Sequence, residues 1–117
     1  MPAMRQPNIA AIEAGGTKFV VAVGRDIANS TRHSIPTTSP IETLSRVARI
    51  INDGLSGNPL NAMGVASFGP LCIDSADPHY GVIGATPKSG WQGFNLKTHL
   101  QTLLGCPIAF ATDANSA

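Results

Sequence analysis

The spacing of apolar and polar positions changes several times along the chain, and each change marks a predicted element. Residues 8–14, NIAAIEA, read as a short strand ending at Glu13, after which Gly15 and Gly16 permit a tight turn. In 17–24, TKFVVAVG, the residues Phe19, Val21 and Val23 alternate with Lys18, Val20 and Ala22, which predicts a second strand with one face more apolar than the other. A polar turn at 25–28 leads to 29–35, NSTRHSI, a weaker third strand near a sheet edge, since both its faces carry polar groups. Three strands with short links predict an antiparallel meander.

A helix follows with clear punctuation. Ser39 is the cap, Pro40 suits the first helical position, and Glu42 completes a capping box. Ile41, Leu44, Val47, Ala48, Ile51 and Leu55 recur at helical spacing as a core-facing stripe, and Gly54, Gly57 and Pro59 end it. Residues 62–68, AMGVASF, predict a strand buried on both faces, as in a parallel sheet. Gly69 and Pro70 terminate it, and Leu71 to Asp74 read as a brief return strand. Residues 75–94 are rich in Gly, Pro and polar residues and lack a period. Such long irregular connections often carry function. Asn95 caps a second helix with Leu96, Leu100, Leu103 and Leu104 on its apolar side, stopped by Gly105 and Pro107. Residues 108–112, IAFAT, are the last strand, with Asp113, Ala114 and Asn115 where it ends. The order is that of a single α/β domain.

Composition narrows the functional classes. Of 117 residues 43% are hydrophobic and 13% charged, about half the usual charged share of roughly 25%. A net charge of +1 argues against a nucleic-acid surface. No apolar run approaches the roughly 20 residues that cross a bilayer, and no secretory signal is visible, so the expectation is a cytoplasmic protein without membrane or nucleic-acid partners. Cys72 and Cys106 have no CxxC spacing and no regular His partner, so buried reduced thiols are expected rather than a metal site or a disulfide. His33, His79 and His99 are scattered and form neither a triad nor a ligand cluster.

Three groupings can carry chemistry. Glu13-Ala14-Gly15-Gly16-Thr17-Lys18 lies between two strands: backbone amides and the Thr17 hydroxyl can donate to phosphoryl oxygens, Lys18 adds charge, and Glu13 can hold a magnesium ion or its water. An ordinary hairpin turn explains the same glycines. Asp113 stands at the carboxyl end of a strand, where open sheets place their crevices, and can accept a hydroxyl proton or cap a following helix; Asn115 can donate to a substrate or cap that helix. Gly69, Pro70 and the 75–94 connection, with Gly84, Thr86, Lys88, Gly90 and Trp91, can grip a hydroxylated ligand. Trp91 reads first as an anchor of that loop, and Asp74 and Asp77 read as turn residues.

Taken as an ordered set, IEAGGTKFVVAVG, GVASFGPLCID, GVIGATPKSGWQGFNL and PIAFATDANSA closely resemble the amino-terminal half of bacterial fructokinases of the ROK family (repressors, open reading frames and kinases). Glu in EAGGTKF, where many family glucokinases carry Asp, together with SFGPL and TPKSGW, resembles the fructokinase branch. The resemblance implies an actin-like (ribonuclease H-like) ATPase domain: a mixed five-stranded sheet, three antiparallel strands then two parallel, flanked by helices. It implies transfer of the γ-phosphoryl of ATP to the 6-hydroxyl of fructose with Mg2+. By similarity Glu13 takes the magnesium-linked acidic position, Gly15, Gly16, Thr17 and Lys18 the phosphate turn, and Asp113 the catalytic base. Gly69, Pro70 and the Thr86–Trp91 stretch fall on the sugar side. Family enzymes have a second domain that brings most of the nucleotide pocket and a zinc site, so residues 1–117 are expected to be an amino-terminal domain, with zinc only in the carboxy-terminal half. The family's TDVNAAA reads TDANSA here. One wall of a cleft cannot bring hydroxyl, phosphate and neutralising groups together. The chain is therefore expected to be inactive alone and to act as a homo-oligomer or with a carboxy-terminal half. Family repressors carry a helix-turn-helix ahead of this region, whereas seven residues precede the first strand here. The alternatives are a non-catalytic interaction or regulatory remnant of the same fold, or a family kinase for mannose or glucose.

Overall fold

The computed structural model describes residues 7–67, 76–84 and 90–112. Five strands, β1 (Ile9–Ala14), β2 (Lys18–Gly24), β3 (His33–Pro36), β4 (Ala62–Ser67) and β5 (Ile108–Thr112), form one sheet in the order β3-β2-β1-β4-β5. The first three pair antiparallel, and β4 and β5 join β1 in parallel. Helix α1 (Pro40–Leu55) links β3 to β4, and α2 (Leu96–Leu104) precedes β5.

Both parallel crossovers run in the same direction across the sheet, from β1 to β4 and from β4 to β5. Right-handed crossovers then lie on one face. That face is the core: Ile12, Phe19, Val21, Val65, Leu44, Val47 and Ile51 are at most 3% exposed. Alternation along the strands follows directly, with Ala10, Ile12 and Ala14 buried and Glu13 exposed. The chain exploits Gly54 inside α1, where a Cβ would run into the Val23 side chain, to lay the helix close on β2.

The caps are those the sequence predicts, with one change. Ser39 Oγ accepts the Glu42 N–H at 3.3 Å, and Asn95 Oδ1 accepts the Thr98 N–H at 2.9 Å. Gly105 ends α2 in the left-handed region, φ 66°. The Glu42 carboxylate, expected to reach back to the Ser39 N–H, instead accepts the Thr38 hydroxyl at 2.7 Å. The far end of the sheet is closed by a clasp: the Asn8 N–H donates to Asn61 Oδ1 and the Asn61 N–H donates to Asn8 O, both at 2.9 Å.

Three other expectations change. The third strand begins at His33 rather than 29, because Asp26 winds the preceding residues into a 3-10 turn (Ile27–Asn29); its backbone oxygen accepts the Ser30 hydroxyl at 2.6 Å, and its side chain accepts the Asn29 amide at 2.6 Å. Ile41 and Leu103 leave the predicted apolar stripes, at 57% and 38% exposed, since each stands at the rim of its helix's contact. Strand β4 is buried on one face only: Met63 and Val65 are covered while Gly64 is exposed. As expected, the described parts of the 75–94 connection form no helix or strand of their own and are anchored through Trp91, which is fully buried with Ile83, while Val82 is bridged to Asn95. The proposed return strand, Leu71 to Asp74, lies outside the described residues. Cys106 is a buried free thiol, and its burial pushes the thiol pKa up; Cys72 lies outside the described residues. Among the described residues no helix is long and apolar enough to cross a membrane.

Candidate active site

The site begins where β1 gives way to the glycine turn. Gly15 N–H donates to the Lys18 carbonyl at 3.0 Å, which closes the hairpin. A Cβ at Gly15 would stand 2.7 Å from that oxygen, so glycine is demanded here by close approach. Gly16 is different: a Cβ there meets nothing within 4 Å, and the surface above the turn is open. Neither glycine has a positive φ.

Thr37, just beyond β3, holds this turn from behind. Its hydroxyl donates to Gly15 O at 2.7 Å and its N–H donates to Thr17 O at 2.9 Å. Thr37 is 5% exposed, so both bonds are shielded from water. With those carbonyls committed, what the turn offers a ligand is donors: the N–H groups of Gly16 and Thr17 and the Thr17 hydroxyl, beside the exposed Lys18 side chain. Sequence reasoning missed Thr37, because the Thr37-Thr38-Ser39-Pro40 run was read only for its helix cap. Two hydroxyl residues directly ahead of a cap, beside a glycine hairpin, were the available signal.

Glu13 projects on the sheet face away from the helices, and its carboxylate lies 3.8 Å from Arg32 Nη1. Both side chains are more than half exposed, so the pair is weak and exchangeable. Magnesium is bound through one or two carboxylates plus phosphates and water. Glu13 suits that mode, being a hard oxygen donor held at the strand end beside the turn. Among the described residues no group of three or more His, Cys, Asp or Glu could hold a metal by itself.

The strand register sets the rest of the site. Ala14 stands level with Ser67, and Ser67 with Thr112. The three parallel strands therefore end at one line, and β1 and β5 are two strand spacings apart, about 10 Å. Gly15 leaves the sheet from this line. Asp113, Gly69, Pro70, Thr86 and Asn115 lie outside the described residues, as do Lys88 and Asp74. A groove of about 360 Å³ runs beside Glu13 on the face away from α1 and α2, floored by Ala11, Gly64, Ala66 and Ala109.

Trp91 is an anchor. Its Nε1–H donates to the Thr38 carbonyl at 2.9 Å, and its ring packs 5.5 Å from that of Phe19 and 5.7 Å from that of Phe94. Asp77 serves a turn, accepting the His79 N–H at 2.7 Å, and this bond holds its carboxyl below the usual range. His99 packs against the Phe94 ring at 5.4 Å. His33 and His79 are exposed.

Comparison with known proteins gives concordant matches. Residues 9–117 match the ROK family model. Over 110 residues the chain is 44% identical to a fructokinase of Pediococcus pentosaceus, covering 93% of this chain and 37% of that protein. The ROK hexokinase of Thermus thermophilus superposes with a TM-score of 0.72 at 24% identity, covering 93% of this chain and 36% of the other. The ROK glucokinase of Streptomyces griseus, solved with glucose and AMPPNP, gives 0.71 at 18%, covering 93% and 34%. These superpositions identify the sheet as the actin-like ATPase fold. The chain spans between 34% and 37% of the length of the curated relatives it matches.

Proposed function

The chain belongs to the ROK family, and from that membership we propose that it forms the amino-terminal wall of an ATP-dependent fructokinase of the cytoplasm. The observation that carries this reading is the common line on which β1, β4 and β5 end, with the Thr37-held glycine turn leaving from it. The 44% identity to a fructokinase supports fructose as the acceptor.

Magnesium, when bound with the nucleotide, supplies charge neutralisation between the phosphates. Glu13 is the residue that would hold it, releasing Arg32 to do so. The turn amides of Gly16 and Thr17 bind and orient the terminal phosphates of ATP, with the Thr17 hydroxyl and Lys18 adding donors. Asp113, by resemblance, accepts the proton of the sugar's 6-hydroxyl as that oxygen attacks the γ-phosphorus and ADP departs. Gly69, Pro70, Thr86 and Asn115 line the sugar side. Residues 1–117 thus act as one domain of a two-domain enzyme, and turnover needs the partner domain that closes the cleft.

The test is phosphorylation of fructose by MgATP. The chain is assayed by itself and mixed with the carboxy-terminal portion of a fructokinase relative. Fructose 6-phosphate is expected in the mixture and not from the chain by itself. Equal rates with glucose or mannose would remove the substrate assignment. A mixture that binds MgATP and forms no product would favour a non-catalytic binding role.

A further inference from the structure

The glycine turn and the Trp91 segment are some seventy residues apart in sequence, yet two adjacent residues tie them together. Thr37 grips the turn through its hydroxyl and its N–H, at 2.7 and 2.9 Å. The next carbonyl along the chain, that of Thr38, accepts the Trp91 indole N–H at 2.9 Å. This two-residue bridge is itself pinned to the start of α1. The Thr38 N–H donates to Thr43 Oγ1 at 2.9 Å, and the Thr38 hydroxyl donates to the Glu42 carboxylate at 2.7 Å. Thr37 and Thr43 are 5% and 0% exposed. A second, apolar link runs in parallel: the Trp91 ring packs on Phe19, the residue after Lys18.

We propose that Thr37 is the positioning residue of the phosphate turn and that Thr37 and Thr38 form a relay through which phosphate on the turn is felt at Trp91. The proposal rests on the turn being the phosphate site. The Thr37–Gly15, Thr38–Thr43 and Trp91–Thr38 links are part-buried hydrogen bonds, and a buried polar group left without its partner costs far more than an exposed one. The turn therefore cannot shift toward a ligand without carrying Thr37 with it. Thr38 follows Thr37 in the chain and moves with it against its ties to the start of α1, and its carbonyl carries that shift to the indole. The same relay makes occupancy at the turn and the setting of the Trp91 indole reciprocal.

Trp91 is the sole tryptophan, so its indole N–H gives one resonance when this chain alone carries 15N. The labelled chain, mixed with the unlabelled carboxy-terminal portion used in the phosphorylation assay, is titrated with MgATP. Binding is followed in parallel by equilibrium dialysis. The indole resonance is expected to shift along the same curve as bound nucleotide. Thr37→Val removes the hydroxyl at nearly constant volume; it should weaken MgATP binding about tenfold and uncouple the indole shift from occupancy. Thr37→Ser, which keeps the donor, should stay within about twofold of the parent and retain the shift, a rescue that a merely space-filling role would not produce. If the mixture binds MgATP while the indole resonance stays still, the relay is overturned and the phosphate site stands, a result that needs no variant to fold. If the mixture binds no MgATP, the phosphate reading fails and the relay with it. Equal binding by Thr37→Val and the parent would remove Thr37 as a positioning residue.

Discussion

The two faces of the sheet are built from alternate residues of the same strands, yet they differ in kind. On one, Ile12, Phe19, Val21 and Val65 are almost wholly covered by α1, α2 and the Trp91 segment. On the other, Ala11, Gly64, Ala66 and Ala109 floor a groove, with Glu13 and Arg32 beside it. The strand alternation says which residues share a face, but it does not say which face receives the helices. That is decided by strand order: two crossovers of one hand and one direction put α1 and α2 on one face, and over β4 and β5 the described residues of the other face are small. Large residues therefore carry stability, and small ones leave room above the backbone. The candidate chemistry sits on the line where the two faces meet, at the carboxyl ends of the parallel strands.

This contrast can be broken or sharpened by substitution. The largest effect is expected on the covered face. Phe19→Ala should cost about 3–5 kcal/mol in urea unfolding, because the ring is fully buried against Trp91. A loss below about 1 kcal/mol would show that this face is not the seat of stability. At the line between the faces, the neighbouring glycines should part company. Gly15→Ala should cost about 1–3 kcal/mol, since its Cβ collides with the Lys18 carbonyl. Gly16→Ala should stay within about 0.5 kcal/mol. Equal effects would refute the close-approach argument for Gly15. On the open face the sign should reverse: Gly64→Ala meets nothing within 4 Å and should stabilise the chain by about 0.5–1 kcal/mol, as alanine does over glycine inside a strand. Destabilisation there, seen as a lowered unfolding midpoint, would mean the groove floor is already in contact.

The smallest effect belongs to neither face. Asp77 is held ionised by the His79 N–H, so its folded pKa lies below the unfolded one. Its contribution is present above the ordinary carboxyl pKa of about 3.9 and fades as pH falls through the lower folded value. Asp77→Asn should flatten that part of an acid-unfolding curve. An unchanged curve would assign the slope to other carboxyls.

What was legible in the sequence was what is local. Ser39, Asn95 and Gly105 announce helix ends because capping involves residues a few positions apart, and all three serve as such. The five strands were legible from period and composition, and the family resemblance named the fold and the parallel setting of the last two. The extent of β3 was missed because bonds to the Asp26 carboxylate and backbone carbonyl, from Asn29 and Ser30, override the strand propensity of 29–32. The one-sided burial of β4 was missed because an all-apolar run looks the same whether one face is covered or two. Of the site, Glu13 and the Gly15–Lys18 turn are placed together as expected from their adjacency. For Thr37 the hydroxyl run ahead of the cap was a signal without a target, because what it binds depends on β3 returning alongside β2, a contact set by register: Lys18 opposite Pro36.

The amide clasp between Asn8 and Asn61 lies at the end of the sheet opposite the glycine turn. Residues 8 and 112 thus sit at opposite ends of parallel strands joined through β4. A tension applied between these two points would run along the strands and load their cross-strand bonds side by side in shear, instead of unzipping them singly. In a force-extension experiment the domain should behave as a stiff link that yields abruptly.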